Sequence, residues 1–269
     1  MNKRNRVNLV LGLVILLIFG LMTLAPGLFT AYDPKDMFQA WLPASGAHLL
    51  GTNALGYDVF TELVYGAGVT LRVGLASSVI SLVLGLVIGT LSTRRGFFGS
   101  LFNGMINVFV LLPRLIVLIV LAGFLGNSER NLILLISAFS WAASARAVRA
   151  QVMHINSQLY IENCRVLGYS RFHTVVFHVI PNLYDTLVSR FLLGVNSCIM
   201  MESTLSFLGF GDLYHPTWGT MINLAYKRGA FIRGAYNYLL VPALCITLVS
   251  MAFYLISVYL ENKKDILQA

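Results

Sequence analysis

Long apolar runs constrain the fold of this chain more than any other feature. The hydrocarbon core of a bilayer is about 30 Å thick and is crossed by about 20 helical residues. Because lipid offers the backbone no hydrogen-bond partner, each run must pair its own amide and carbonyl groups by forming a helix. The sequence therefore predicts an all-α membrane protein with six transmembrane helices, at about residues 9–29, 69–92, 101–125, 132–150, 183–207 and 236–260.

Composition supports a single membrane domain. The 269 residues are 57% hydrophobic and only 11% charged, whereas soluble chains are about 45 to 50% apolar and about 25% charged. Six spans use roughly 120 to 140 residues. The remainder is enough for loops but not for a second globular domain.

The net charge of +8 is distributed as membrane topology predicts. Basic residues lie beside the ends of apolar runs and do not form one face with stacking aromatics, so no nucleic-acid partner is expected. The positive-inside rule places both termini in the cytoplasm, together with the basic clusters at residues 3–6, 94–95, 146–171 and 263–264. Lys227, Arg228 and Arg233 fall outside and weaken this bias without reversing it.

The chain divides into four parts. Residues 1–30 form the first transmembrane helix; its apolar run is longer than the roughly 7 to 15 residues of the apolar core of a signal peptide, so we expect it to stay uncleaved. Residues 31–66 form a polar, turn-rich external segment that is too long for a simple hairpin. Residues 67–261 form a five-helix core with a cytoplasmic hairpin at residues 152–182, and residues 262–269 form a cytoplasmic tail.

The stretch from Tyr160 to Asn182 is polar and amphipathic between two apolar runs. Gly168 can adopt the left-handed conformation that ends a helix. Ser170 can cap a second helix, which Pro181 stops. The pattern predicts a helix, a turn and a helix outside the membrane, with an apolar cluster on the first helix formed by Leu159, Cys164, Val166 and Leu167. By itself such a hairpin is also typical of an ordinary solvated loop.

At their spacing, Glu162, Gly168, His178 and Pro181-Asn182 resemble the coupling motif of permease subunits of ABC importers. In that family this element inserts into a cleft of a separate ATPase subunit. The motif departs from the family at Asn163 and the residue after it, where two alanines are usual. The resemblance implies a coupling role for Glu162, Cys164, Arg165, Leu167, Gly168, His178 and Pro181.

Two further motifs resemble the dipeptide, oligopeptide and nickel branch of these permeases. One covers residues 48–60. In that branch an aspartate is usual at the position of Asn53 and an arginine at the position of Tyr57. The other covers residues 202–211 and continues at residues 216–221. Together with the coupling motif, they imply the type I ABC importer permease fold.

The resemblance also implies the partners. A second, similar permease, two ATPase subunits and an external solute-binding protein are expected to assemble with this chain in the lipid of a bacterial or archaeal inner membrane. The sequence contains no Gly-x-x-x-x-Gly-Lys-Ser/Thr loop, so ATP and Mg²⁺ are expected on the ATPase partners. Neither an enzyme activity nor a cofactor is expected in this chain. Its three cysteines are scattered and its histidines dispersed, so neither a metal site nor a disulfide is expected.

Polar and ionisable side chains inside the spans are candidates for the substrate path. Arg114 follows Pro113, which predicts a kink in the third span, and Glu202 lies near the outer end of the fifth. The two are candidates for a pair facing the path, to which Asn107, Asn196 and Ser206 would add polar groups. The alternatives are that Arg114 snorkels or pairs with a backbone carbonyl, that Glu202 reaches the outer interface, and that the others bond helix to helix.

Peptides are the expected substrate, because of the breadth of that branch. Nickel, free or chelated by a small metallophore, is the alternative. An ion-coupled secondary carrier is more remote, because it should show buried carboxylates near the middle of the bilayer. The spans of this chain contain Glu202 and little else that is acidic.

Overall fold

The structure is a computed structural model that describes residues 3–268, without the side chains of Lys3, Arg4, Arg165 and residues 262–268. The regular secondary structure of this part of the chain is helical, apart from one β-bridge that pairs Thr52 with Asp58. The all-α prediction is therefore confirmed. The α-helices are α1 Lys3–Leu24, α2 Val59–Leu91, α3 Phe97–Leu111, α4 Arg114–Leu125, α5 Glu129–Asn156, α6 Leu159–Val166, α7 Arg171–Thr174, α8 Tyr184–Leu205, α9 Trp218–Lys227 and α10 Asn237–Gln268.

Five stretches of the described chain are helical, long and apolar enough to cross a membrane: Asn5–Leu24, Val59–Leu91, Glu129–Asn156, Pro181–Phe210 and Asn237–Glu261. They match five of the six predicted spans, although α2 begins about ten residues before the predicted second span. Asp58 explains the early start, because its Oδ1 accepts a hydrogen bond from the Thr61 amide at 2.8 Å and so caps the helix. The last residues of the predicted external segment are thus helical.

The third predicted span is not one continuous helix. It consists of α3 and α4, which are bent by 89° at Leu112 and Pro113. Leu112 is extended, with φ −62° and ψ 135°, because a proline disfavours helical geometry in the residue before it. The sequence predicts a kink here, and the structure shows a break. Counting the bent pair as one span gives six.

The chain forms two compact units. The first comprises residues 1–77, 115–136 and 195–269. In it α1 packs along α10, and α10 packs against α9. Trp218 at the start of α9 is fully buried; its indole Nε1 donates to the Leu63 carbonyl at 3.0 Å, and its ring lies edge-to-face with Phe19 at 5.3 Å. One aromatic side chain therefore connects α1, α2 and α9.

The second unit comprises residues 78–114 and 137–194. Here α2 and α5 approach closely at two glycines, because a Cβ at Gly85 would lie 2.7 Å from Ser144 Cβ and one at Gly89 would lie 2.7 Å from the Ala145 carbonyl oxygen. Beyond this contact, the Arg149 guanidinium donates to the carbonyl oxygen of Ser92, just after α2 ends. Close backbone packing and one hydrogen-bonded cation thus join the two helices.

Filling the α2–α5 contact should destabilise the fold. We expect Gly89→Val to lower the free energy of unfolding by about 1–3 kcal/mol, since the new side chain overlaps the α5 backbone. The matched control is Gly104→Val, because a Cβ at that position in α3 meets nothing within 4 Å. Thermal unfolding of the two purified variants in detergent measures the difference. Equal midpoints would contradict the role given to the glycine.

Candidate functional site

The stretch 159–183 folds as the predicted hairpin. Gly168 has φ +78°, and the Tyr169 amide donates to the Cys164 carbonyl at 3.0 Å, which is the bond of a Schellman C-cap. Ser170 Oγ accepts from the His173 amide at 3.1 Å and caps α7. A π-helical turn, Val175–Val179, continues α7 towards Pro181. The turn chemistry read from the sequence is therefore present in the structure.

The base of the hairpin is a small apolar core. Ile161 of α6 and the residues Val179 and Leu183 after α7 are buried against the last turns of α5. The α5 side chains in this core are Val148, Val152 and Ile155. Because a cluster of fully buried side chains resists deformation, the hairpin is held firmly on the end of α5.

The apolar cluster predicted on α6 is only partly correct. Ile161 and Cys164 are buried, one helical turn apart, and form the inward face of α6. Leu159, Val166 and Leu167 point away from the core and are exposed, Val166 to 82%. The sequence pattern missed this division because the partners of Ile161 lie elsewhere in the chain, on α5 and after α7. Cys164 consequently packs inside the hairpin and is not part of its outer surface.

The outer surface of the hairpin is apolar, although the hairpin lies beyond the spanning part of α5. We call this surface the hairpin face; it consists of Leu159, Tyr160, Val166, Leu167, Tyr169, Phe172 and Phe177, all exposed. Glu162 and Gly168 are also exposed, and nothing lies within 4 Å of a Cβ built at Gly168. Exposed apolar patches of this kind mark surfaces that contact another protein or a membrane.

The other predicted coupling residues lie around the second half of the hairpin. His178 is half-buried and belongs to an aromatic group in which Tyr169 stacks on His173, with ring centroids 4.8 Å apart. Pro181 is exposed where the hairpin rejoins the spanning helix. The side chain of Arg165 lies outside the described residues.

Two of the predicted path residues, Glu202 and Ser206, are fully buried in this structure. Both side chains are already inaccessible in the single chain, before any partner binds. The Glu202 carboxylate instead accepts hydrogen bonds from Ser206 Oγ at 2.7 Å and Ser203 Oγ at 3.2 Å. In this conformation the two residues therefore bond adjacent turns of one helix and do not face an open path.

The remaining candidates lie in different surroundings. Arg114 is partly buried at the break between α3 and α4, and it forms no ion pair among the described residues. The Oδ1 atom of Asn196 is buried and has no hydrogen-bond partner in the described part of the chain. Asn107 is exposed and accepts a hydrogen bond from Arg146 Nη2 at 3.4 Å. Of these three, Asn107 is the one that combines exposure with a charged neighbour.

The signature at residues 48–60 forms a buried polar network. His48 Nδ1 lies 2.9 Å from Asp58 Oδ2, and Asn53 Nδ2 donates to Glu62 Oε2 at 2.8 Å. All four residues are buried. The network fixes the preceding external segment on the first turns of α2, a role that the sequence did not reveal because Glu62 lies outside the signature.

Comparison with known proteins identifies relatives over most of the chain. Residues 81–266 match the family described as binding-protein-dependent transport system inner membrane component. The dipeptide transport system permease protein DppC of Bacillus subtilis is 29% identical, over 98% of this chain and 82% of the relative. The di/tripeptide transport system permease protein DppC of Pseudomonas aeruginosa is 31% identical, over 94% of this chain and 86% of the relative.

A solved structure shares the fold. The MetNI methionine ABC transporter, in inward-facing crystal forms, contains a chain that aligns with a TM-score of 0.57 and 19% identity. The alignment covers 74% of this chain and 96% of that chain. The type I permease fold predicted from the sequence is thereby confirmed.

The bonding of Glu202 leads to a stability prediction. We expect Glu202→Ala to lower the free energy of unfolding by about 1–3 kcal/mol, because it leaves buried hydroxyls without an acceptor. Glu202→Gln should cost less, since an amide oxygen can still accept from Ser206. Thermal unfolding of both variants in detergent checks this order. Equal losses would show that the carboxylate is not held as an acceptor.

Proposed function

Since this chain belongs to the family of binding-protein-dependent transport system inner membrane components, we propose that it is a permease subunit of an ATP-driven peptide importer and forms half of the translocation path. The observation that carries the proposal is the hairpin face, an exposed apolar surface fixed on the end of a spanning helix. The spanning helices line the path, and the hairpin is the surface on which an ATPase subunit can act to move them.

The proposed topology follows the basic residues. Both termini and the hairpin lie in the cytoplasm of a bacterial or archaeal cell, and the chain sits in the inner membrane. Arg94 and Arg95, exposed at the turn before α3, lie on the same side as the hairpin under the positive-inside rule. Residues 31–58 then lie outside, with the buried network of His48 and Asp58 within them.

Coupling takes place at the hairpin face. Two separate ATPase subunits carry ATP and Mg²⁺, and one of them receives the face formed around Leu167 and Phe172. Closure of the ATPase pair on ATP pushes the hairpin, and the core of Ile161, Val179 and Leu183 transmits the movement to α5 and α8. Hydrolysis releases the hairpin. ATP shifts the equilibrium because it binds the closed state more tightly.

Peptides are the substrate class that the relatives support, since both DppC proteins are named for dipeptide or di/tripeptide transport. This favours peptides over nickel or a metal chelate, the alternative left open by the sequence. The family is binding-protein-dependent, which argues against an ion-coupled secondary carrier. A second permease completes the path, and an external solute-binding protein delivers the peptide to residues 31–66.

A substitution at the tip of the hairpin tests coupling. In the assembled complex we expect Gly168→Arg to leave membrane insertion intact but to lower peptide uptake by about tenfold or more, the effect of a misfit of about 1.4 kcal/mol in the ATPase cleft. ATP hydrolysis should continue and no longer respond to loaded binding protein. Peptide uptake and ATPase activity in proteoliposomes measure both effects.

Gly96→Arg is the control for backbone strain. Gly96 also has a left-handed φ, +95°, with nothing within 4 Å of an added Cβ, but it lies in the turn before α3. Gly96 has ψ −169°, a conformation essentially restricted to glycine, so an arginine is strained at least as much there as at position 168, and only position 168 lies in the proposed docking surface. Normal uptake by Gly168→Arg would overturn the coupling role.

A second prediction concerns the external segment. Leu49 is exposed to 59% and Met37 to 67%, while the adjacent His48 is buried. We expect Leu49→Glu with Met37→Glu to raise the concentration of binding protein that half-maximally stimulates ATP hydrolysis by about tenfold, because docking would desolvate the new charges. Basal ATP hydrolysis should not change. An unaltered half-maximal concentration would exclude these residues from the docking surface.

A further inference from the structure

Two arginines near the end of α5 have different surroundings. Arg149 is partly buried, and its guanidinium donates to the carbonyl and hydroxyl oxygens of Ser92, after the last residue of α2. Arg146, one helical turn earlier, is exposed, and its hydrogen-bond partner is Asn107 of α3. Both arginines therefore bond α5 to another segment of the chain, but only Arg146 is exposed.

The Arg146 guanidinium bonds to a residue of the apolar helix α3. Arginines near the end of a spanning helix normally snorkel to the nearby interface. Asn107 is ten residues from the start of α3, which corresponds to about 15 Å along this apolar helix at 1.5 Å per residue. A guanidinium held at such a position needs a polar environment, because lipid tails cannot solvate it.

The charge of Arg146 is not neutralised within the described chain. The acidic residues of the second unit are Glu162 and Asp185, and no ion pair of Arg146 is found among the described residues. The amide oxygen of Asn107 orients the guanidinium but supplies no negative charge. A guanidinium has five N–H donors, so most of them stay available to a ligand.

We propose that Arg146, positioned by Asn107, binds a carboxylate of the transported peptide as it passes along the path. This inference rests on the proposed function, because it takes the peptide as cargo. The planar guanidinium fits a carboxylate with two parallel hydrogen bonds, and every peptide with a free C-terminus carries that group. The site is exposed in this chain and would face the path once the second permease is present.

Comparison of two peptides tests the proposal. The complete complex is reconstituted in proteoliposomes with its binding protein, and uptake is measured for a tripeptide with a free C-terminal carboxylate and for its C-terminal amide. We expect Arg146→Gln to lower the ratio of acid to amide uptake by about tenfold or more, the loss of one charge-assisted hydrogen bond. Because wild type and variant share one binding protein, its own selectivity cancels in the comparison.

Three further variants sharpen the result. Arg94→Gln removes the same charge from an exposed position at the turn before α3 and should leave the ratio unchanged. Asn107→Ala should lower the ratio less than Arg146→Gln, because it removes orientation and keeps the charge. Arg146→Lys keeps the charge but lacks the planar guanidinium, so it should give an intermediate ratio of acid to amide uptake. This variant also tests the proposal if Arg146→Gln does not assemble.

The outcomes separate the inference from the function on which it rests. An equal decrease for both peptides, or no decrease, would overturn the inference and leave the peptide importer standing. A defect that depends on the fraction of anionic phospholipid would overturn it as well and assign Arg146 to a lipid headgroup. If the wild-type complex takes up neither peptide, the proposed function fails and the inference fails with it.

Discussion

Burial in lipid is the constraint on which the rest of this structure depends. Apolar side chains gain nothing from leaving lipid for another apolar surface, so spanning helices associate through close packing and hydrogen bonds. In the first unit, the indole of Trp218 hydrogen-bonds to α2 while its ring touches α1. In the second, Gly85 and Gly89 admit the α5 backbone, and Arg149 bonds to the end of α2. Because lipid accommodates apolar side chains, residues such as Leu21 and Val83 can stay exposed on the helices while these few contacts hold the helices together.

The core at the base of the hairpin is of a kind that forms in water. Beyond the lipid, the hydrophobic effect again favours the burial of apolar side chains, and Ile161, Val179 and Leu183 form a core with α5. The hairpin face nevertheless leaves Leu167 and Phe172 exposed. In water such a face is stable only as part of an assembly or at a cost in solubility. The contrast between a buried base and an exposed apolar outer surface supports the proposed role of the hairpin in transmitting force.

Local chemistry was predictable from the sequence. The spans follow from the length of the apolar runs, and the hairpin turn follows from Gly168, Ser170 and Pro181, whose effects act within a few residues. The structure departs from the sequence-based prediction where distant residues decide the outcome. Ile161 packs against α5, so the face of α6 that also carries Cys164 turns inward. The network of His48, Asp58 and Glu62 joins groups whose pairing no periodicity indicates.

The break at Leu112 and Pro113 has a consequence for hydration. The last carbonyl groups of α3 and the first amide groups of α4 have no partners within their own helices, and α3 alone, at 15 residues, rises only about 22 Å. Their polar atoms therefore lie at a depth where hydrocarbon cannot satisfy them, and unpaired backbone is tolerated there only against protein or a water-filled cavity. An interrupted helix thus needs water or protein groups that hydrogen-bond its unpaired backbone. Water that solvates these carbonyl groups would be the first occupant of any channel through this chain.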